Sequence, residues 1–510
     1  TLAAGMTLAD SNFVTTATAT VAGTIDASAM TGSGAFTFSG AAENDSVLTI
    51  TGSKNGDNLT GGQMADTINA GAGADTLVGG IGVDILNGGD GIDTFTVATS
   101  THFIGLASAE TVSGGAGVDI LNFTAASNTV AASDLMKISS IETITFATGT
   151  GANAITLNND VYTANGTTSL TILDTEATAA LTVTASALSA VNSIDVTASG
   201  TTGVTDSLTG GAGDDIFKFD TVNHAVTLDA SDIVAGGAGS DTLQLTLDGN
   251  NDATAATLSA VSAIEILSVK DAADGDDEVL GMLTLVDGNF TSAGTIDLTG
   301  MVDTDSTASI NAAAELTSVL TIKGGSAADT IVGGAKGDTI TGGVGTDTIT
   351  GHKGADTITG GAGVDTFIYT AATHSTTSGA DSITDFVSGV DKLQVTIDLS
   401  SKTTSQTVDT AIQAGAAGTS AVQAGLSGSV GQATYDTTNS QLVINANADN
   451  LVTTLDYVIG VNAGATAATT IAEGDINFVI TTGSGIDTIV DGGGGSTITG
   501  GGAADTITGG

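Results

Sequence analysis

The 510-residue sequence contains no cysteine, no proline and no tryptophan. Without cysteine there is no disulfide framework and no thiolate metal site. An average proline usage of roughly 5% would give about 25 prolines in a chain of this length. Proline interrupts the hydrogen bonding of strand ladders, so its absence favours a chain built from stacked strands.

Basic and aromatic residues are also scarce. Nine lysines and no arginine stand against 56 acidic residues, for a net charge of -47, and aromatic residues make up 3% of the chain. Nucleic-acid binding needs basic surface, and binding of bases or sugars relies on aromatic stacking, so the composition argues against both. No apolar run approaches the ~18 residues that a membrane helix needs, and no signal peptide opens the chain. The chain opens at Thr1 without methionine and ends inside a repeat, so we expect a piece of a longer protein.

What the sequence does contain is glycine, 72 residues of it, arranged in nine-residue blocks of the form G-G-x-G-x-D-x-U-x, where U is Ile, Leu or Phe. Five consecutive blocks fill residues 52–96 and five more fill 324–368, with shorter pieces elsewhere. Fixed spacing of this kind indicates that the carboxylates are cation ligands. The candidate ligands are the sixth-position aspartates Asp57, Asp66, Asp75, Asp84, Asp93, Asp119, Asp206, Asp215, Asp232, Asp241, Asp329, Asp338, Asp347, Asp356, Asp365, Asp487 and Asp505, and the fourth-position glycines Gly73, Gly82, Gly345 and Gly354.

The block pattern itself predicts a coil. The six small residues can form a tight turn, and the following x-U-x can form a short strand with U buried. Two blocks then complete one coil, so aspartates stack at eighteen residues: Asp57 over Asp75, and Asp75 over Asp93. Stacked carboxylates repel unless a hard divalent cation lies between them, and calcium accepts six to eight oxygens, including turn carbonyls. Asp75 would serve two stacked sites, so replacing it should cost more than replacing Asp57.

Isolated pieces of the pattern are less specific. Asp119 could equally be an ordinary β-turn aspartate. In the last run, Ser496 stands where an aspartate is expected, so this run should bind calcium more weakly. With neither thiolates nor clustered imidazoles in the sequence, transition metals are not expected.

The blocks resemble the RTX repeat family, whose motif is the G-G-x-G-x-D-x-U-x pattern described above. The resemblance implies a parallel β-roll, calcium held by the sixth-position aspartate and turn carbonyls, and type I export followed by folding outside the cell. The chain departs from the motif's glycines at Met64, Ala327 and His352. Segments 381–395 and 435–449 resemble the strand caps that follow such repeats in secreted proteins.

A larger duplication and further strand units surround the blocks. AGTIDASAM at 22–30 matches AGTIDLTGM at 293–301, an offset of 271 residues, and alternating Thr, Val and Ile segments lie between the runs. We therefore predict an all-β fold of parallel β-roll or β-solenoid segments joined by β-strand units, with little helix; 409–425 is the best helix candidate. The predicted segments are strands at 1–51, a first roll at 52–122, strand units at 123–202, a short RTX segment at 203–247, strand units at 248–323, a second roll with cap at 324–395, a β-rich segment with a possible short helix at 396–480, and a further RTX run from 481–510.

The four histidines and the serines are the candidates for catalytic motifs in this sequence. No histidine begins an HExxH motif and no G-x-S-x-G elbow occurs, so we expect no enzyme activity from this chain. His102, His224 and His374 occupy equivalent positions in three copies of one segment, each followed by an acid. A repeated site is one interpretation, and a structural histidine that ends a strand in each copy is the one that we favour.

The repeats, strand units and duplication together look most like RTX-type bacterial surface-layer proteins. We expect a calcium-dependent structural protein that is secreted to the bacterial cell surface, contacts further copies of itself and binds several Ca2+. A region outside this sequence could bind cell-surface polysaccharide. Two alternatives stay open: an RTX adhesin, and the calcium-binding C-terminal part of a type I-secreted hydrolase.

Overall fold

The computed structural model describes most of the chain up to residue 398 and selected strands beyond it. The described residues are 6–9, 21–97, 110–146, 151–175, 179–198, 204–220, 228, 230–247, 256–271, 279–376, 378–398, 407–409, 412–416, 433–436, 441–444, 457–461, 475–481, 488–490, 497–499 and 506–508. The backbone contacts divide the chain into two compact units, the first mainly before residue 245 and the second mainly after it.

The first unit is a β-solenoid whose strands form parallel ladders. One ladder contains β1 Met6–Ala9, β3 Thr37–Ala42, β5 Asn58–Thr60, β7 Thr76–Val78, β9 Thr94–Val97, β11 Ile120–Phe123, β14 Thr143–Phe146, β16 Ser169–Asp174, β18 Ser193–Ala198 and β20 Ile216–Asp220. The facing strands are β2 Val21–Asp26, β4 Ser46–Thr51, β6 Thr67–Ala72, β8 Ile85–Asp90, β10 Thr111–Ala116 and β13 Ile138–Ser139, then β12 Asn128–Val130, β15 Asn153–Asn158, β17 Leu181–Ala187, β19 Ser207–Thr209, β21 Ile233–Ala235 and β24 Val261–Ser262.

The second unit repeats this architecture, and β22 Thr242–Leu247 contains residues of both units. One ladder contains β23 Ala256–Thr257, β26 Val279–Val286, β28 Thr307–Ala314, β30 Thr330–Val332, β32 Thr348–Thr350, β34 Thr366–Tyr369, β36 Lys392–Asp398, β42 Ile476–Thr481 and β44 Thr497–Thr499. The facing strands are β25 Ile266–Asp271, β27 Ala293–Gly300, β29 Val319–Lys323, β31 Thr339–Gly345, β33 Thr357–Gly363, β35 Asp381–Ile383, β38 Ile412–Ala416, β39 Ala433–Asp436, β40 Gln441–Ile444 and β41 Tyr457–Val461, and a third group is β37 Thr407–Asp409, β43 Thr488–Val490 and β45 Thr506–Thr508. Among the described pairings between strands, only β39–β40 and β40–β41 are antiparallel.

The coil explains why the blocks have their sequence. In the first roll, Ile50, Ile68 and Leu86 lie in register at eighteen-residue spacing, one in each successive coil. Each of these side chains is at most 1% exposed. Burying each contributes roughly 1.5–3 kcal/mol, so the stacked U positions form the solenoid core. The predicted two-block coil and the parallel all-β fold are thereby confirmed.

The segments between the nonapeptide runs are longer coils of the same solenoid. Leu121 pairs with Phe95 of the first roll on one side and with Ile144 on the other. The strand units that we expected to join separate rolls thus continue the same ladders with longer turns. The bounds of the eight predicted segments stay predictions.

Helix is rare in the described residues. The one α-helix, α1 at Asn159–Asn165, begins after Asn158, whose side chain accepts the N–H groups of Asp160 and Val161, and it ends at the left-handed Gly166. Both cap signals were readable in the sequence but were missed. Short 3-10 turns occur at Ala132–Leu135 and Ala372–His374. In this part of the chain no helix is long and apolar enough to span a membrane.

The helix predicted within 409–425 is wrong where it can be checked. β38 covers Ile412–Ala416 and β37 ends at Asp409, so these residues are extended. β38 pairs with β39, and such ladder hydrogen bonds override a weak local preference for helix. The rest of this candidate lies outside the described residues.

Candidate calcium sites

The sixth-position aspartates lie where each turn enters its strand, and their side chains are buried. In both five-block runs every one of them is at most 2% exposed. A buried carboxylate needs partners, because removing its charge from water is costly. The contacts of the two carboxylate oxygens therefore decide what each turn can do.

One oxygen of each aspartate joins successive coils. The N–H of Asp57 donates to Oδ1 of Asp75 over 2.6 Å, and the N–H of Asp75 donates to Oδ1 of Asp93 over 2.9 Å. On the opposite side, Asp66 donates to Asp84 over 2.7 Å. The second roll repeats the ladder, with contacts of 2.8–3.0 Å along Asp329, Asp347 and Asp365 and along Asp338 and Asp356.

The other oxygen, Oδ2, divides the turns into two kinds. In the first two turns of each roll it accepts the N–H of the residue four positions earlier, as from Gly62 to Asp66 over 2.5 Å and from Gly334 to Asp338 over 2.7 Å. We call these closed turns. Asp57, Asp215 and Asp329 also lie in closed turns, and Asp391, outside the blocks, accepts the N–H of Val387 in the same way.

The later turns are of a second kind, which we call open turns. Their second and fourth positions have positive φ, for example +116° at Gly71 and +130° at Gly73. In six of these turns no hydrogen-bond donor among the described residues reaches the buried Oδ2 of the aspartate. The open-turn aspartates with such an oxygen are Asp75, Asp84, Asp93, Asp119, Asp347 and Asp356.

The predicted glycines Gly73, Gly82, Gly345 and Gly354 all lie in open turns, with φ between +130° and +151°. Their hypothetical Cβ atoms would meet backbone carbonyl groups of the adjacent stacked turn; at Gly82 the nearest is the carbonyl oxygen of Met64, 2.5 Å away. Only glycine allows this backbone conformation and this close approach. His352 adopts a φ of +73° at a position where other open turns have glycine.

Burial and mutual repulsion raise the pKa values of carboxylates in the two rolls. Burial, followed by the charges of Asp93 and Asp57, raises the pKa of Asp75 to about 6. Burial likewise raises the pKa of Asp347 to about 7 and, together with the charge of Asp381, that of Asp356 to about 9. A bound cation would reverse this shift, because it favours the ionised form.

The open turns therefore fit calcium. They supply carboxylate oxygens without donors beside the carbonyls of the adjacent turn, which is the all-oxygen donor set that calcium prefers. Within the described part of the chain no three His, Asp or Glu side chains converge as a metal cluster. Each ion would thus rely on few carboxylates and on backbone carbonyls for the rest of its shell.

The shorter pieces form the same ladder. Asp119 accepts the N–H of Asp93 over 2.8 Å, so it stacks on the first roll across a 26-residue coil. Asp206 donates to Asp232 over 2.8 Å and Asp215 donates to Asp241 over 2.9 Å, again at 26 residues. Asp487, Asp505 and Ser496 lie outside the described residues. The role of each predicted aspartate and glycine as a calcium ligand stays a prediction.

Four further acids continue the ladders and were missed. Asp119 donates its N–H to Glu142, Asp356 donates to Asp381, and Asp365 donates to Asp391, at separations of 23, 25 and 26 residues. The backbone of Thr111, the residue after Glu110, donates to Asp84, so Glu110 lies on the ladder of that aspartate. Their spacing is not nine, but each acid precedes a buried apolar residue by two positions, a signal that would have found them.

The repeated histidine is described in one of its three copies. His374 is buried, its ring centroid lies 4.9 Å from that of His352, and burial, followed by the charge of His352, lowers its pKa to about 4. It is therefore neutral near pH 7 and packs against the turn of Asp356. His102 and His224 lie outside the described residues.

Comparisons with known families agree with this geometry. The model of the RTX calcium-binding nonapeptide repeat matches four segments, residues 60–95, 202–220, 226–244 and 481–510. A second model, Peptidase M10 serralysin C terminal, matches residues 314–472, which include the second roll. No curated protein matches the chain.

The chain thus carries RTX calcium-binding nonapeptide repeats, and such repeats bind Ca2+ in multiple copies. The serralysin C-terminal domain is non-catalytic. Together the two matches indicate a secreted, extracellular protein with features of type I export.

Proposed function

We propose that this chain is the calcium-dependent, non-catalytic part of a type I-secreted protein, which folds into a stable solenoid when it meets extracellular calcium. The observation that carries the proposal is the set of buried Oδ2 atoms in the open turns, which no described donor reaches. Without calcium these carboxylates repel and are poorly solvated. With calcium, binding energy becomes folding energy.

The serralysin-type match supports this role over the surface-layer role that the sequence favours. It covers the second roll and extends through the β-rich segment up to residue 472. A calcium-binding C-terminal part of a secreted hydrolase has this organisation, with its catalytic domain elsewhere in the protein.

One observation favours a second candidate, a structural protein of a cell-surface lattice. The solenoid does not stop at the RTX blocks; long coils between them, such as those of β14, β16 and β18, continue the ladder without a family match. Apolar side chains such as Ile81, Ile92 and Val118 are also more than half exposed on the turns of the first unit. Such side chains would suit contacts with further copies of the chain.

Refolding at controlled calcium tests both candidates. The purified chain is diluted from denaturant into chelator or into millimolar calcium, and circular dichroism, sedimentation velocity and electron microscopy are recorded. A gain of strand in calcium with monomeric sedimentation supports the export-linked module. Ordered sheets or filaments support the lattice, and equal strand content in both buffers overturns calcium-gated folding.

A further inference from the structure

Two buried glutamates lie outside the nonapeptide pattern, at the start of the two rolls. Glu43 follows β3 in the first unit and Glu315 follows β28 in the second, and the two are 272 residues apart, the same offset that separates SVLTITG at 46–52 from SVLTIKG at 318–324 in the duplication. Both are 0% exposed. Oε1 of Glu43 accepts the N–H of Asp45, and Oε1 of Glu315 accepts the N–H groups of Thr317 and Ser318, while Oε2 of both has no donor among the described residues.

The turn that holds each glutamate has a fixed geometry. Its N–H donates to the carbonyl three residues earlier, and its own carbonyl accepts the N–H of the third residue of the second nonapeptide of the roll. For Glu43 that donor is Gln63 over 3.0 Å, and for Glu315 it is Ala335 over 2.9 Å. The glutamates therefore stack directly on the closed turns of Asp66 and Asp338.

The same turn occurs elsewhere with an apolar residue in place of the glutamate. Leu188 and Met301 make the same two backbone hydrogen bonds before their own nonapeptides, and their side chains are 3% and 0% exposed. The fold thus accommodates a buried apolar side chain at this position. A fully buried carboxylate there, in both copies of the duplication, is costly unless it has a ligand.

Among the described lysines, none forms an ion pair with Glu43 or Glu315. The ion pairs of the described residues that involve lysine join Lys218 to Asp195, Lys323 to Asp297 and Lys392 to Asp475. Both glutamates instead interact with negative charges. The charge of Glu43 contributes to the raised pKa of Asp66, and that of Glu315 to the pKa of Asp338, which burial raises to about 6.

We propose that Glu43 with Asp66, and Glu315 with Asp338, each hold one further hard divalent cation, a calcium site that closes the first end of each roll. These sites differ from the stacked aspartate sites, because a glutamate from a non-repeat turn supplies the oxygen without a donor. Carbonyl oxygens of the same turns, including that of Gly40, lie beside Gly62 and can add to the shell. The inference rests on the proposed calcium-dependent folding and extends it to residues that the nonapeptide motif omits.

The test counts bound calcium in the whole chain. Equilibrium dialysis against radioactive Ca2+ is compared between the wild type, Glu43→Gln, Glu315→Gln and the double variant. We expect one ion fewer in each single variant, two fewer in the double variant, and a rise of about tenfold in the calcium midpoint of folding. The control is the double variant Asp26→Asn with Asp305→Asn, which removes the same charge from two exposed positions.

Apolar variants separate a ligand from a structural carboxylate. Glu43→Met and Glu315→Met reproduce the side chain found at the equivalent Met301, so they should fold, be more stable in chelator and lack the same ions. An unchanged ion count in both the Gln and Met variants would overturn the inference. If the wild type itself showed no calcium-dependent folding, the proposed function would fail instead.

Discussion

At the scale of the residue, the aspartate at the sixth position of a block has two different hydrogen-bonding arrangements. In a closed turn both oxygens of the aspartate accept backbone N–H groups, as in Asp66, whose oxygens accept from Leu48 and Gly62. In an open turn, as in Asp75, only Oδ1 has a donor among the described residues. The same residue type thus accepts backbone N–H groups with both oxygens in one turn, and in the next it leaves one oxygen without a described donor, where an ion can bind.

This difference predicts opposite effects of one substitution at two positions. Asp75→Asn keeps an oxygen for the N–H of Asp57 and removes a buried charge, so stability in chelator should hold or rise. Its calcium midpoint should increase by about tenfold, because a charged ligand is lost. Asp57→Asn should lower stability in both buffers, since an amide NH2 would face the N–H of Ser53.

Calcium titrations followed by circular dichroism, with urea unfolding in chelator, measure both quantities for the two variants. A larger increase in the calcium midpoint for Asp57→Asn than for Asp75→Asn would contradict the assignment of closed and open turns.

The glycines of the open turns carry a second residue-scale prediction. Gly82→Ala should destabilise the calcium-bound protein by about 1–3 kcal/mol, because φ is +151° and the new Cβ would lie 2.5 Å from the carbonyl oxygen of Met64. Gly34→Ala is the control, since nothing lies within 4 Å of its Cβ, and it should change stability by less than about 0.5 kcal/mol. Urea midpoints in calcium give both values, and equal destabilisation would refute the role of the turn.

The sequence predicted which aspartates are stacked on one another. Nine-residue spacing placed Asp57 beside Asp75, because two blocks close one coil. It could not separate closed from open turns, since the difference depends on backbone φ and on which N–H faces Oδ2. Glu43 was missed because it belongs to no block, and Glu110 because its coil is longer than eighteen residues.

At the scale of the element, the unit of the fold is the coil and not the block. Two blocks give one strand to each ladder, and the longer coils, such as the one from Leu86 to Val112, also give one strand to each. The number of residues in a turn can therefore vary, but successive strands along the chain must alternate between the two facing ladders. The predicted strand units between rolls followed from period-two patterning, but their continuity with the rolls depends on long-range pairing that no local pattern contains.

This rule predicts different outcomes for two deletions. Removing residues 70–87, two blocks, should preserve the alternation of all later strands and leave a calcium-dependent fold with fewer ions bound. Removing residues 79–87, one block, should transfer every later strand to the wrong ladder and place longer coils out of register. Thermal unfolding in calcium, followed by circular dichroism, distinguishes them: a cooperative transition should survive only in the first variant, and its loss in both would contradict the rule.

At the scale of the whole molecule, the net charge of -47 and the buried carboxylates link folding to pH. The folded pKa values of Asp75, Asp347 and Asp356, about 6, 7 and 9, lie above the ordinary value of 3.8 for aspartate in an unfolded chain. The folded apo state therefore binds more protons than the unfolded state between about pH 4 and pH 9. Its stability must fall as pH rises through this window.

In chelator, we expect strand content to increase when the pH is lowered from 8 to 5. In millimolar calcium at pH 8 the chain should already be folded, and its calcium affinity should decrease on acidification because protons compete for the same oxygens. Circular dichroism and calcium titration across this range test the linkage. If strand content in chelator rose with increasing pH, the predicted direction of the pH dependence would be wrong.

The position of the closed turns finally predicts the order in which the coils of each roll fold. Within the nonapeptide blocks of each roll they lie in the first coil, and both carboxylate oxygens of their aspartates accept backbone N–H groups, so this coil can form as a template before calcium arrives. Each later coil then needs both a bound ion and a folded preceding coil. We therefore expect folding to propagate from the first coil toward the last, one coil at a time. Hydrogen exchange at limiting calcium should protect the amides of β5 and β30 before those of β9 and β34, and the reverse order would exclude this polarity.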